Sequence, residues 1–423
     1  MFKSKSSVDK NSLFFIYEGI AITIIINIAN PFFTMFGKRM GAGDYQIGLI
    51  SSIPALMGIL AVIPGAMLVG RFRDKKKVVA VLALCTGILY PIAAFTPFTG
   101  TSRVFWYIIA IAILNWPYSV YIICWQSFFS DVFDGSLRNR VYAARSKLGN
   151  LFGMISLLCT GLILAYIPHT DGQRVTLYQI FFFIAFVFAL IQIWFLSRVT
   201  GYEITEKPTT SHNLKILIQT VKKAAADKPF KSFILTAFLF HITWQMTWPL
   251  FFIFQVNFLH ANEAWLSFLN VGTGLAGVVT YTLWSRMVDR KGAGWVIIIG
   301  GFGLALNPLL LVISKSLFEA LLFTILVGFL FSAFQLALFE NLMNTVPQEN
   351  KTLNIAIYTT FINISNFASP LVGVWIYKHT SIYFTMYMDS FLRLAATALF
   401  YINYKRSHNK GENPSVPVKS SSC

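Results

Sequence analysis

Charge is what this chain has least of. Only 12% of its 423 residues are Asp, Glu, Lys or Arg, whereas 56% are hydrophobic and the mean hydropathy is +0.63. A water-soluble protein of this length cannot hide that much apolar surface, so its solvent must be largely lipid. Acid is scarcer than base: 17 Asp and Glu stand against 34 Lys and Arg, a net charge of +17. That excess raises nucleic acid as a partner. The cations, however, sit between apolar segments and not on one soluble domain, which excludes it. Cysteine is sparse too. Cys85, Cys124 and Cys159 fall inside apolar runs and Cys423 stands apart, so no disulfide framework or metal site is expected. The six His have no paired metal-ligand spacing. No G-x-x-x-x-G-K-[ST] loop occurs, which argues against direct ATP drive. No enzyme motif and no cofactor signature is found.

What is present is a series of long apolar segments. At roughly 20 residues per span, about twelve are expected, near 12–36, 45–69, 78–98, 104–130, 148–168, 177–197, 231–256, 264–285, 293–313, 317–343, 353–376 and 381–402. The expected fold is an all-α membrane protein in two six-helix, pseudo-symmetric halves. Lys3, Lys5 and Lys10 precede the first run as in a secretory signal. The run from Leu13 to Phe36 is long enough to span, and no small-residue cleavage site follows, so it is read as a membrane helix. The expected organisation is a tail at 1–11, a first half at 12–197, a linker at 198–230, a second half at 231–402 and a tail at 403–423. About 27 of the 34 Lys and Arg fall on the side that holds both tails and the linker. Both termini are therefore expected in the cytoplasm of a multi-pass plasma-membrane protein. Leu214, Ile216, Ile218 and Val221, set among Lys215, Lys222 and Lys223, suggest a tether lying at the membrane surface. The Ile-, Phe-, Lys- and Asn-rich usage points to an AT-rich bacterial genome.

The two halves repeat. The loop Gly70-Arg71-Phe72-Arg73-Asp74-Lys75-Lys76-Lys77 returns as Ser285-Arg286-Met287-Val288-Asp289-Arg290-Lys291-Gly292, with an Arg three residues before an Asp and a cation after it. Pro31 answers Pro249, and Tyr90-Pro91 answers Asn307-Pro308. Trp125-Gln126 with Asp131 answers Phe334-Gln335 with Glu340. Six spans separate each pair, so the repeat is parallel, about an axis along the membrane normal.

With these features the chain resembles the major facilitator superfamily of secondary transporters over segments 1 to 12. The signature loop of that family, G-x-x-x-D-[RK]-x-G-[RK]-[RK], is matched by Gly70, Asp74 and Lys75 and, in the second copy, by Asp289, Arg290 and Gly292. Lys77, Val78 and Ser285 depart from it. Leu137-Arg138-Asn139-Arg140-Val141-Tyr142 with Arg145 is similar to the family's Arg-containing loop after segment 4. The G-x-x-x-G-P-x-x-G-G pattern of its proton-coupled drug exporters is missing from segment 5. The resemblance implies alternating access, usually as a monomer, and a gating role for Asp74 and Asp289 with Arg71, Lys75, Arg286 and Arg290 as cation partners. Those cations could equally do no more than fix topology.

The family's first helix in each three-helix unit lines the path, which directs attention to segments 1, 4, 7 and 10. On segment 7, His241, Trp244, Gln245, Trp248 and Phe252 share one helical face. Segment 4 offers Asn115, Ser119, Trp125 and Gln126, segment 10 offers Gln335, and segment 1 offers Thr23, Asn27, Asn30 and Thr34. Each stripe reads either as a solute-binding wall or as helix–helix packing with interhelical hydrogen bonds. The proton-coupling candidates are Glu18, inside segment 1, and His241, whose imidazole titrates nearest neutrality. Glu18 is also open to a structural pairing with Arg140, Arg145 or Lys147. Asp389 and Arg393, at i and i+4 in segment 12, read as an internal ion pair. The expectation is a transporter and not an enzyme, moving a small molecule across a lipid bilayer on a proton gradient. Export of a small amphipathic or lipophilic compound is favoured, with uptake of a neutral sugar or nucleoside as the alternative. A non-transporting membrane sensor is the alternative of another class.

Overall fold

The computed structural model describes residues 5–72, 74–133, 135–200, 222–223, 226–347, 349 and 351–409. At 5–9, 62–64, 66–71, 135–136, 352–353 and 407–409 it describes the backbone alone. The surface tether expected around 214–223, apart from Lys222 and Lys223, and the tail beyond 409 lie outside these residues, as does the side chain of Arg71.

All twelve expected segments are helices, and no strand occurs among the described residues. Segment 1 is α1 (Lys5–Ala29) and α2 (Phe33–Arg39), joined by a 3-10 turn at Asn30–Phe32. Then follow α3 (Asp44–Arg71), α4 (Lys75–Phe95), α5 (Arg103–Val132), α6 (Gly135–Tyr166) and α7 (Asp171–Ser197). Segment 7 is α8 (Lys228–Met246) and α9 (Trp248–Asn257). The last five are α10 (Glu263–Lys291), α11 (Ala293–Ile313), α12 (Leu317–Thr345), α13 (Lys351–His379) and α14 (Ile382–Asn409). Proline decides where the two broken segments break. Pro31 sits in the 3-10 turn and Pro249 in the first turn of α9, each removing a backbone donor. The matched Pro91 and Pro308 instead lie inside α4 and α11. The repeat seen in the sequence is thus a repeat of backbone interruptions. Ten stretches of the described residues are long and apolar enough to cross a membrane, one of which, Lys75–Val132, holds both α4 and α5.

The chain divides into two compact units, Met1–His212 with Asn262–Ser267, and Asn213–Ala261 with Phe268–Cys423. In the first, α1 packs on α6 and α7, while α5 packs on α3 and α4. Its core gathers around Phe15, whose ring lies 5.2–6.2 Å from those of Trp125, Phe128, Phe129 and Phe133. In the second, α11 packs on α12 and α14, and α8 on α13 and α14. Phe240 stacks on Phe334 at 4.4 Å, with Trp244 and Phe400 around them.

Lipid offers no water to a freed carbonyl, so each broken helix needs an internal donor. In the second unit that donor is Arg393, fully buried in α14. Its Nη1 donates to Leu304 O at 2.9 Å. Leu304 is four residues before Pro308, which has no N–H to give it. Its Nη2 donates to Trp244 O, also at 2.9 Å, in the last turn of α8, and to Thr247 Oγ1. Asp389 neutralises the guanidinium at 2.7 Å and accepts a bond from the Thr247 hydroxyl at 3.0 Å. Ser390, beside it, donates to Ala305 O. One pair on α14 therefore fastens α11 at its proline and segment 7 at its break.

Arg393→Met leaves Asp389 buried and unpaired, a loss of about 3–5 kcal/mol. It should lower the melting temperature of the detergent-solubilised protein markedly. In a Pro308→Ala background the restored N–H at 308 takes over Leu304 O, and the same substitution should cost measurably less. An equal drop in both backgrounds would refute the carbonyl-capping role.

Candidate functional site

The first unit holds a buried charged network drawn from four helices. Glu18, on α1, has no exposed surface. It accepts from Arg145 Nε on α6 at 3.0 Å, from Tyr121 OH on α5 at 2.7 Å and from Gln192 Nε2 on α7 at 3.1 Å. Gln192 also donates to Tyr121 OH at 2.7 Å. The carboxylate is thus both neutralised and hydrogen-bonded, the condition for keeping a charge inside a bundle. Glycine makes the approach possible. A Cβ on Gly19 would lie 2.2 Å from Arg145 Cγ, and one on Gly153 would lie 2.7 Å from Asn27 Nδ2. The Arg145 guanidinium lies 4.1 Å over the ring of Trp125, which itself stacks on Phe129 at 5.0 Å. Of the three cations open to Glu18 in the sequence, the structure brings Arg145 to it. A cavity of about 20 Å³, room for roughly one water, adjoins the network and is lined by Ile22, Thr86, Tyr90, Tyr118, Tyr121 and Gln192.

The segment 1 stripe bonds mostly at home. Thr23 Oγ1 donates to Gly19 O and Asn27 Nδ2 to Thr23 O, while Asn30 Oδ1 accepts from Tyr90 OH at 3.5 Å. On α5, Asn115 and Ser119 likewise bond carbonyls one turn back, and Trp125 is buried. Gln126, by contrast, is exposed. In the second unit its counterpart Gln335, on α12, is exposed as well, beside the buried Phe334. The segment 7 stripe is divided by the break at Thr247. His241 and Trp244 turn into the core, with His241 Nδ1 2.8 Å from Ala237 O and Trp244 among Phe240, Phe331 and Phe334. Gln245 is half-buried, and Trp248, past the break, is 53% exposed.

The first basic loop knits neighbouring helices within its own unit. Lys75 pairs with Asp131 at the end of α5 at 2.7 Å. Lys76 donates to the carbonyls of Ser197 and Val199 at the end of α7, where a helix dipole favours a cation. Asp74 stands just before α4, 3.6 Å from Lys77. In the second copy Arg286, Asp289 and Arg290 are exposed, and Gly292 ends the helix at φ +85°, a conformation that suits glycine.

Sequence reasoning missed a third charged cluster, because its members fall in loops by segment counting. Glu263, in the first turn of α10, is fully buried and takes both Arg39 Nε at 3.0 Å and Arg39 Nη2 at 3.3 Å. Tyr178 OH donates to the same carboxylate at 3.1 Å. The one available signal was an acid at a helix start behind the N-capping Asn262, whose Oδ1 accepts from Trp265 N, and that pattern by itself means only a capped helix.

Comparison with known proteins follows the same lines. The model of the Major Facilitator Superfamily matches residues 19–269 and 233–422. No curated protein matches the chain. Among solved structures it is similar to the nucleoside transporter NupG, with a TM-score of 0.67 at 11% identity over 94% of this chain and 99% of that one. It is also similar to the xylose transporter XylE from E. coli, with 0.65 at 14% over 94% and 97%. A bacterial homolog of the human lysosomal transporter Spinster gives 0.63 at 14% over 96% and 98%. At these identities the likeness is one of fold.

Because Glu18 and Arg145 neutralise one another, losing either alone should cost about 3–5 kcal/mol. The double variant Glu18→Gln/Arg145→Gln should then be more stable than either single one, which requires a coupling of at least about 3 kcal/mol in a double-mutant cycle. Additive losses in thermal unfolding would show that the two do not act as a pair.

Proposed function

Given that the chain belongs to the major facilitator superfamily, we propose that it is a secondary transporter of a small uncharged solute, working by alternating access and driven by the proton gradient. One observation carries the choice of an uncharged solute. The ionised groups deep in the spans are already neutralised in pairs, Glu18 with Arg145 and Asp389 with Arg393. A charged solute would want an unspent counter-charge in its path. The exposed polar groups on the spans at repeat-related positions are the amides Gln126 and Gln335. An exposed amide in a membrane span is costly against lipid and favourable against a wet path, and amides bind hydroxyls and heterocycle edges. The solute class this supports is a sugar or nucleoside.

Glu18 is the coupling candidate. Protonation would remove its charge and free Arg145, while Tyr121 and Gln192 still hold the carboxyl, so the proton changes the partners of Arg145 without emptying the site. His241 is less suited, being buried against the ring of Trp244 in the second unit. Export of a lipophilic compound is the second reading. The exposed Trp248 indole favours it, since amphipathic aromatics suit flat apolar solutes.

The test is accumulation of labelled sugars, nucleosides, dyes and antibiotics in transport-deficient bacteria expressing the protein, with and without a protonophore. Gln126→Ala and Gln335→Ala should each lower sugar or nucleoside flux about tenfold, the order of one lost hydrogen bond to a buried solute. Glu18→Gln should abolish concentrative transport and leave exchange. Reduced accumulation of lipophilic compounds only, insensitive to both Gln substitutions, would replace this proposal with the export reading.

A further inference from the structure

The helix α10 does not belong to one unit. Its first residues, Asn262–Ser267, group with the first unit, and the rest of it, from Phe268, with the second. What holds that turn is chemistry contributed by α2, α6 and α7. Arg39, the last residue of α2, forks onto both oxygens of Glu263, the bidentate geometry that makes arginine–carboxylate pairs strong. Tyr178 closes the carboxylate from α7, and Arg174 Nε stands 3.9 Å away. On α6, Gly161 makes the fit possible. A Cβ there would fall 1.9 Å from Ser267 Oγ and 2.8 Å from Glu263 O.

The three carboxylates buried among the described residues, Glu18, Glu263 and Asp389, differ in what would follow from breaking their contacts. Freeing Glu18 or Asp389 would strand two ions inside a bundle, where the loss runs to several kcal/mol. Around Glu263 the partners reach water. The side chains of Arg39 and Arg174 are 24% and 19% exposed, and Asp171, which both arginines already touch at 3.2 and 3.1 Å, is 74% exposed. If Glu263 leaves, Arg39 and Arg174 keep Asp171 as their counter-ion, and Glu263 is left at a helix N-terminus, where the dipole favours an anion. The cluster is therefore built to close tightly and to open without leaving an unpaired charge behind.

We propose that Arg39 and Glu263 are positioning residues for the transport cycle. They latch the first turn of α10 onto α2 and α7 in the state seen here, and the latch opens in each turnover, with Asp171 holding the arginines meanwhile. The inference rests on the alternating-access reading above.

Ser267, 1% exposed under the latch, is the reporter. In a protein freed of Cys85, Cys124, Cys159 and Cys423, Ser267→Cys is treated with a membrane-impermeant maleimide in intact cells. Labelling should be slow, and Glu263→Gln should speed it roughly five- to tenfold, the worth of a well-formed ion pair at a wet rim. Arg39→Lys, which keeps the charge but loses the fork, should give a smaller increase and stands in if Glu263→Gln does not fold. Gly161→Ala should also raise the rate, by displacing the turn sterically with the charges intact. A transported solute should change the rate in the native background. Unchanged labelling in Glu263→Gln and Arg39→Lys would overturn the latch. Faster labelling in the variants with no response to any solute in the panel would leave a latch that opens without a transport cycle, and would fault the transport reading and not the contact.

Discussion

Every polar group inside these helices has to find its partner inside the protein. In water an interrupted helix loses little, because solvent takes the orphan carbonyls. In lipid the same interruption is affordable only where another helix brings a donor. The placement of the few charged residues follows from this. Arg393 lies where Pro308 and the end of α8 have left carbonyls open, and Asp389 lies one turn before it to cancel its charge. Glu18 lies where an arginine, a tyrosine and a glutamine from three other helices converge. Scarcity of charge in the composition and the pairing of Glu18 and Asp389 with arginines in the structure have one physical cause.

Pairing also bears on transport. A secondary transporter has to let a solute in and out without holding it too tightly, and an unspent charge in a low-dielectric path binds a counter-ion strongly. A path whose deep ions are already neutralised leaves amides and aromatic rings to recognise the solute, and such contacts are individually modest. Gln126 and Gln335 are polar, uncharged and exposed, whereas Trp125 and Phe334 beside them are buried in the cores of their own units.

The sequence made the fold legible because hydrophobic run length, proline position and cation distribution are all consequences of the bilayer and leave long, redundant signals. Twelve runs became twelve segments, and the two prolines matched in segments 1 and 7 became two helix breaks. The site was less legible. A helical-wheel stripe assumes a continuous helix, and the segment 7 stripe crosses Thr247, where the helix stops, so His241 and Trp248 end in different surroundings. The partner of Glu18 could be narrowed to three cations but not chosen, since the choice depends on which α6 residue meets the notch at Gly19. Arg39 and Glu263 were invisible for another reason. Segment counting places charges at helix ends in the loops, and only three-dimensional packing reveals an end that is buried.

The two halves share their backbone plan but not its polar filling. Thirteen residues before Pro31 stands Glu18, and thirteen before Pro249 stands Thr236. Both are buried, yet the second is satisfied by Ser232 O at 2.9 Å and the amide of Asn403 at 2.8 Å, where the first needs an arginine. Four residues before each proline stand Asn27 and Gln245, both amides and both half-buried. The parts repeated are those that shape the helices: the breaks, the kinks and the alternation of buried ring with exposed amide. The parts not repeated are the ions deep in the spans, with a carboxylate at this position in the first unit only and an arginine spread over backbone carbonyls in the second. A repeated frame gives two halves with comparable helix breaks. Its asymmetric charges give the first unit a carboxylate held from three other helices, and the second an arginine clamp that secures its broken segment.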